Sequence, residues 1–192
     1  MKAFFIDKYG TNDTLKFGDI KKPEIGEYDV LIKVYSASVN PLDLKIQDGS
    51  LKVLLPYKFP IILGNDFSGV VENIGKSVKK FKIGDEVYGK TEQVRTGSFS
   101  EFLSIKETYL AKIPRNLTME ESASIPLVGL TAWQVLVERA KLKKGQKVFI
   151  QAGSGGVGSV AIQLAKYLGA TVATTTGTEN IEWVKNLGAD IV

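Results

Sequence analysis

Residues 147–158 read Lys-Val-Phe-Ile-Gln-Ala-Gly-Ser-Gly-Gly-Val-Gly, and they constrain the fold more tightly than any other stretch. Val148, Phe149 and Ile150 are apolar β-formers and predict a buried strand. The glycines that follow require a sharp turn, after which apolar residues recur at helical spacing from Val157 to Leu168. A strand, a glycine turn and a helix in this order direct the first N–H groups of the helix, with the positive end of its dipole, at an anion. Residues without side chains let the backbone approach a pyrophosphate, and Gly158 lets the helix pack closely on the strand. Ser154, Gly155, Gly156, Val157 and Gly158 are therefore the expected cofactor-binding residues. A turn that serves packing alone is the alternative.

The second strand, expected over Thr171 to Thr175, bears on which dinucleotide fits. Folds that take NAD carry an Asp or Glu about twenty residues after the glycines, where it accepts from the ribose hydroxyls. Here the strand ends Thr174-Thr175-Thr176-Gly177-Thr178, with no acid at its end. The hydroxyls of Thr175, Thr176 and Thr178 are expected to donate to a 2′-phosphate, so NADPH is favoured over NADH. Threonine's β-propensity alone would also account for the run. Glu179 argues against NADPH, because it stands where a cation would be useful.

Two grammars divide the chain at 117/118. Residues 1–117 read as short strands separated by turns: Ala3 to Ile6, Val30 to Val39, Ser68 to Ile74, Glu86 to Gly89, Phe99 to Ile105 and Tyr109 to Ile113. One short helix is expected from Pro41 to Gln47, with proline in its first turn and Asp48-Gly49 ending it. Such a series predicts a small barrel or partly closed sheet. Residues 118–192 alternate helix and strand, the pattern of a parallel sheet. Thr118 with Glu120 and Glu121 reads as a helix start. A helix is expected from Leu130 to Ala140, with Trp133, Leu136 and Val137 on its apolar side. Another runs from Ile181 to Leu187, and a third strand begins at Asp190 to Val192.

Charge and composition remove several classes of function. The 192 residues carry 25 Lys and Arg against 21 Asp and Glu, and the lysines are dispersed among acids rather than gathered in an aromatic-interleaved stripe. That pattern predicts a solvated face and no nucleic-acid partner. There is no run of roughly 18 apolar residues to span a membrane, so a soluble, non-membrane protein is expected. Cysteine and histidine are both absent. A disulfide framework is impossible, which fits a reducing cytoplasm.

Several further motifs stand in order: Val39-Asn40-Pro41-Leu42-Asp43, Gly64-Asn65-Asp66-Phe67-Ser68-Gly69-Val70-Val71-Glu72-Asn73-Ile74-Gly75, Phe81-Lys82-Ile83-Gly84-Asp85-Glu86-Val87 and Gly129-Leu130-Thr131-Ala132. With the glycine turn, they are similar to the medium-chain dehydrogenase/reductase superfamily, and within it to the zinc-free quinone oxidoreductase and enone reductase branch. The resemblance implies an α/β plus β architecture: a GroES-like partly closed β-barrel at 1–117, followed by a Rossmann domain, the doubly wound parallel sheet, incomplete at 118–192. It implies a homo-oligomeric family whose usual interface is missing here. It also implies that Asn40 lies beside the nicotinamide and the substrate carbonyl, where its amide would donate to that oxygen, and that Thr131, at a helix start, contacts the nicotinamide end. Lys45 stands where enone reductases tend to carry lysine, and a cation there would stabilise developing negative charge; a solvated helix lysine is the alternative. Tyr57 is a weaker pocket candidate.

Zinc-dependent members of the superfamily hold their ion with Cys and His at positions matching Asn40 and Asn65, followed by an acid matching Asp66. Amides are poor zinc ligands, and the chain offers no thiolate or imidazole. A zinc-independent reaction is therefore expected: hydride transfer from NADPH to a small-molecule electrophile, a quinone or an α,β-unsaturated carbonyl. No residue stands out as general acid, and water is the expected proton source. Because the parallel sheet stops as its third strand begins, the sequence is expected to be a truncated form. An NADPH-binding fragment without turnover and a non-functional remnant are the competing expectations.

Overall fold

A computed structural model describes residues 1–92, 95 and 97–192, which divide into two compact units, Met1–Pro126 and Leu127–Val192. The geometric division falls later than the change of grammar at 117/118, because the helix over Met119–Ala123 packs on strands of the first unit.

In the first unit, β1 (Lys2–Ile6) pairs antiparallel with β2 (Lys16–Asp19), a strand not foreseen from the sequence. β3 (Asp29–Ser38) follows, then α1 over Pro41–Gln47, with the expected bounds. The two-residue β4 (Ile61–Ile62), also unforeseen, closes the other side of β1. β5 (Asp66–Ile74), β6 (Glu86–Lys90), β7 (Phe102–Lys106) and β8 (Leu110–Lys112) complete a five-stranded antiparallel sheet in the order β7-β3-β5-β6-β8. β7 and β8 remain edges among the described residues, so the barrel is not closed. β7 starts at Phe102 rather than Phe99, because the Ser100 hydroxyl donates to backbone carbonyls of Gly97 and Phe102 and holds a turn.

The sheet encloses Val30, Ile32, Phe67, Val71, Val87, Leu103 and Ile105. A second cluster, Ile6, Ile46, Ile61 and Leu63, seats α1 against β1 and β4. Tyr57 packs on this cluster. α2 (Met119–Ala123) begins with a capping box: the Glu121 N–H donates to Thr118 Oγ1 and the Thr118 N–H donates to the Glu121 carboxylate.

The next helix differs from the expectation of Leu130 to Ala140. α3 spans Pro126–Trp133, since proline needs no N–H partner in a first turn. It continues as a π-helix over Gln134–Arg139. The π winding advances less per residue, so Trp133 and Leu136 diverge around the axis: Leu136 is buried while Trp133 is 47% exposed. In the second unit β9 (Lys147–Ile150) and β10 (Thr171–Thr174) are parallel, in register from Lys147↔Thr171 to Ile150↔Thr174. Ile191 bridges Ala173 in parallel on the other side of β10, the expected third strand in its first residues. α4 (Gly156–Tyr167) and α5 (Ile181–Asn186) accompany them, and Ala161, Ile162, Ala165, Val172 and Val184 form their core. Among the described residues no helix is long and apolar enough to cross a membrane.

Candidate functional site

Within the first unit, Asn40, Asp43, Asn65 and Asp66 converge on one buried polar cluster. Asn40 is extended, as a residue before proline must be, and heads α1. Its backbone N–H donates to Asp43 Oδ2 at 2.7 Å. Asn65 Nδ2 donates to Asp43 Oδ1 at 2.7 Å, so one carboxylate ties the helix start to the chain before β5. Gly64 makes this approach possible: at φ +96° it holds a conformation that side chains resist, and a Cβ there would lie 2.2 Å from Ser98 Oγ.

Asn40 Nδ2 donates to Asp66 Oδ2 at 3.0 Å and to Ser38 Oγ at 3.2 Å, and Ser38 Oγ donates to Asp66 Oδ2 at 3.1 Å. Asp66 and Asp43 are 0% and 2% exposed. Burial pushes the Asp43 carboxyl above the usual range, against the backbone N–H of Asn40, the Asn65 amide, the Gly64 N–H and the charge of Lys90. Lys90, half-buried at the end of β6, donates from Nζ to the Thr91 carbonyl at 3.1 Å. Burial pulls its ammonium below the usual lysine value, and Asp66 and Asp43 oppose that pull.

This geometry alters the role expected of Asn40. The Asn40 amino group is directed inward at Asp66 Oδ2 and Ser38 Oγ, which sets the orientation of the carboxamide. Both N–H donors of Asn40 are spent on Asp66 and Ser38, and neither faces a substrate oxygen. The same orientation is wrong for a zinc ion. The amino groups of Asn40 and Asn65 point at carboxylates, and the chain has no thiolate or imidazole. The zinc of metal-dependent members does not fit these residues. Lys45 is exposed on α1, apart from the buried Asp43, Ile46 and Gln47. Beside α1 lies an open apolar groove of about 720 Å³, lined by Phe4, Phe17, Tyr35, Val39, Leu44 and the edge of Asp43.

The second unit holds the remaining predicted residues. The Gly153 N–H donates to the Thr175 carbonyl at 2.8 Å, and the Ala152 N–H donates to Thr175 Oγ1 at 3.2 Å. Ala152 takes a left-handed φ of +56°, a strained setting for a residue with a Cβ and one that recurs at ligand clamps. Gly155 caps α4 in an extended conformation. The first N–H groups of that twelve-residue helix have no partners within it.

The glycines differ in what demands them. A Cβ on Gly158 would meet the Ala152 oxygen at 2.3 Å, and one on Gly153 would meet Thr174 Oγ1 at 2.2 Å; both are packing glycines. Gly155 and Gly156 are exposed, and a Cβ on Gly155 would meet protein only at 3.3 Å. A Cβ on Gly156 would press on the Val128 side chain at 3.2 Å, so neither position meets the severe clash found at Gly153 and Gly158, and both stand exposed where an anion can approach.

The threonines separate in the same way. Thr174 Oγ1 donates to the Ile150 carbonyl, and Thr175 Oγ1 is engaged by Ala152. Thr176 Oγ1 is buried with no hydrogen-bond partner among the described residues, an orphan that a bound ligand would satisfy. Thr178 is exposed, and the Glu179 carboxylate lies over Gly177, where a Cβ would stand 2.5 Å from Oε1. These residues fit a dinucleotide's phosphate and ribose. Thr131 lies inside α3 rather than at a helix start, and its hydroxyl donates to the Leu127 carbonyl at 2.6 Å. Sequence reasoning passed over Lys90 and Ser38. The signal for Lys90 was its cross-strand register with Asp66, which only the paired sheet reveals.

Known proteins are similar to this chain in sequence and fold. Residues 26–115 match the alcohol dehydrogenase GroES-like domain. The chain is 38% identical to a chloroplastic quinone-oxidoreductase homolog of Spinacia oleracea, covering 95% of this chain and 57% of that protein. It is 40% identical to the chloroplastic NADPH-dependent alkenal/one oxidoreductase of Arabidopsis thaliana, covering 100% and 51%. The solved quinone oxidoreductase from Coxiella burnetii superposes with a TM-score of 0.92 at 39% identity, over 100% of this chain and 61% of that one. The chain thus spans little more than half the length of these relatives. Residues 26–115 therefore carry an alcohol dehydrogenase GroES-like domain, and across the part of the fold it spans the chain is similar to quinone oxidoreductases and enone reductases of the medium-chain dehydrogenase/reductase superfamily.

Proposed function

We propose that this chain carries the acceptor-side domain and the first half of the cofactor domain of a metal-independent reductase that uses NADPH. The observation that carries the reading is the turn at Ala152–Gly158, with exposed Gly155 and Gly156 at the head of α4 and the unsatisfied Thr176 hydroxyl at the end of β10. A reduced nicotinamide, when bound, supplies a hydride. The chain's own residues bind and orient it: the helix start takes the pyrophosphate, while Thr176, with Thr175 and Thr178, takes the 2′-phosphate. Glu179 weakens the preference for the phosphate without supplying the strand-end acid of an NAD site.

The acceptor is a quinone or an α,β-unsaturated carbonyl, which receives hydride without a Lewis acid. The naming of the relatives supports this class, and the apolar groove beside α1 suits the hydrocarbon part of such a molecule. Asn40 acts from within its network as a support for α1. Its amide reaches a carbonyl only after leaving Asp66, and Lys45 and Thr131 contribute through position rather than through a contact already made. The lack of cysteine suits a reducing compartment, the cytoplasm or the interior of an organelle.

The test uses NADPH deuterated at the transferable position, with benzoquinone or a simple enone as acceptor. Deuterium at the β-carbon of the reduced enone, or stoichiometric quinone reduction, supports the proposal. Binding of NADPH without reduction of either acceptor favours a cofactor-binding chain without turnover. Failure to bind NADPH overturns both readings.

A further inference from the structure

The chain between α1 and β4 sorts its apolar side chains to two sides. The Leu54 and Leu55 N–H groups both donate to the Leu51 carbonyl, at 2.9 and 2.7 Å, and the Lys52 N–H donates to the Gly49 carbonyl at 3.0 Å, so a tight turn forms. Leu51 and Tyr57 pack inward on the cluster of Ile6, Ile46, Ile61 and Leu63. Phe59 meets Tyr9 edge-on, with ring centroids 4.8 Å apart. Val53 and Leu54 take the outer side at 87% and 77% exposed, the most exposed large aliphatic residues among those described. Because the turn is anchored on its inner side, the fold itself holds this apolar tip out in water, as at an interaction site. Lys52 and Lys58 flank the tip in sequence; both are exposed, and neither has an acidic partner among the described residues. Residues 50–60 hold no acid. Asp48, just before them, is already engaged: its Oδ1 accepts from the Ser50 N–H at 2.7 Å, and it feels the charge of Lys45.

Aliphatic side chains with unpaired cations beside them select the class of partner. Val53 and Leu54 add nothing to the recognition of a nucleic-acid backbone. A tip of this size also falls far short of the roughly 20–30 residues a side that a stable protein interface uses. A bilayer requires neither. It yields to a protruding tip, takes aliphatic side chains into its acyl boundary, and with anionic headgroups attracts lysines. We propose that residues 51–58 are a docking tip for an anionic bilayer surface, with Val53 and Leu54 entering the acyl boundary and Lys52 and Lys58 lying among the headgroups. No described helix is long and apolar enough to cross a membrane, so the contact is with one leaflet and is reversible. This replaces the expectation, read from the sequence, of no membrane partner. The inference uses the first unit alone and holds whether or not NADPH binds, so its failure is separable from that of the proposed activity.

The experiment sediments the whole 192-residue chain with vesicles of phosphatidylcholine alone and of phosphatidylcholine mixed with phosphatidylglycerol, at low and at high salt. Three double variants accompany it: Val53→Ser with Leu54→Ser, Lys52→Gln with Lys58→Gln, and, as a charge control in the second unit, Lys143→Gln with Lys144→Gln. The parent is expected to bind the anionic vesicles at low salt and to release them at high salt. The serine pair and the Lys52/Lys58 pair should each weaken binding by about tenfold or more. The control pair, which removes the same charge from exposed positions elsewhere, should bind within about twofold of the parent. Melting temperatures should hold throughout, because every altered side chain is exposed. If the serine pair does not fold, the comparison of the two lysine pairs decides. Absence of binding to anionic vesicles overturns the proposal. So does a serine pair that binds like the parent, or a loss in the control pair equal to that in the Lys52/Lys58 pair.

Discussion

Replacing Gly158 and Gly155 by alanine, one at a time, separates the glycine that packing demands from the glycine that a ligand would demand. A methyl group on Gly158 would stand 2.3 Å from the Ala152 carbonyl oxygen and 2.8 Å from Gly153 Cα, both backbone atoms that cannot swing aside. Overpacking of this kind costs about 1–3 kcal/mol, and the clash with backbone places it at the upper end. Alanine's better helix propensity returns about 1 kcal/mol. The net loss is about 1–2 kcal/mol, or roughly 5–15 °C in the melting of a domain of this size. At Gly155 the balance differs. Its φ of −77° and ψ of 167° suit alanine, and its Cβ would touch only the Ala152 oxygen, at 3.3 Å. Stability should change by no more than about 0.5 kcal/mol. The methyl would nevertheless stand on the open side of the turn and hold a pyrophosphate away. A loss of at least 1.4 kcal/mol in NADPH binding, about tenfold in Kd, is expected. Melting followed by circular dichroism and titration followed by calorimetry read the two effects. A Gly155→Ala chain that binds NADPH as tightly as the parent would refute the assignment of this turn as the phosphate cradle.

The remaining predictions concern single residues. Thr176→Val removes an unsatisfied buried hydroxyl, so the melting temperature should hold or rise while the preference for NADPH over NADH falls; a lower melting temperature would show that the hydroxyl has a structural partner. Glu179→Gln removes the carboxylate over Gly177 and should tighten NADPH roughly two- to fivefold with little effect on NADH, read by fluorescence titration. Burial raises the Asp29 carboxyl, but Arg95 at 2.9 Å, the Gly26 N–H and Ser104 outweigh it and hold the carboxyl below the usual range. Because the folded form favours the carboxylate, its stabilisation is full above the unfolded value of about 3.9 and is lost as pH falls through the lower folded value. Asp29→Asn should therefore flatten the acid limb of stability, measured by melts between about pH 2 and 5. Asp190 accepts from the Val172 N–H at 2.7 Å and from Lys166 at 2.8 Å, so Asp190→Ala should speed hydrogen exchange at Val172 while the α4 core stays protected.

Legibility from sequence followed the range of the forces involved. α1 was readable to the residue because Pro41 starts it locally and Asp48-Gly49 ends it. The glycine turn was equally readable, since its conformation is a property of a few adjacent residues. β2 and β4 were not, because Lys16–Asp19 has weak β character and Ile61–Ile62 is only two residues long, and both become strands only by pairing with β1. The π-helical continuation of α3 was hidden because its apolar spacing also satisfies an α-helix. The positions of Asn40, Asn65 and Asp66 were found by resemblance, but their orientation was not. Which end of a carboxamide faces a carboxylate depends on charges brought together from α1, β5 and β6, and Lys90 became visible only through the register of the sheet.

The proposed function requires that the turn after β9 and the threonines after β10 receive NADPH. The most direct measurement is a parallel titration of the 192-residue chain with NADPH and NADH at low salt. Saturable binding of both is expected, tighter for NADPH, with backbone NMR shifts concentrated at Ser154–Gly158 and Thr175–Thr178. Absence of binding, or tighter binding of NADH with no shift at Thr176, would contradict it.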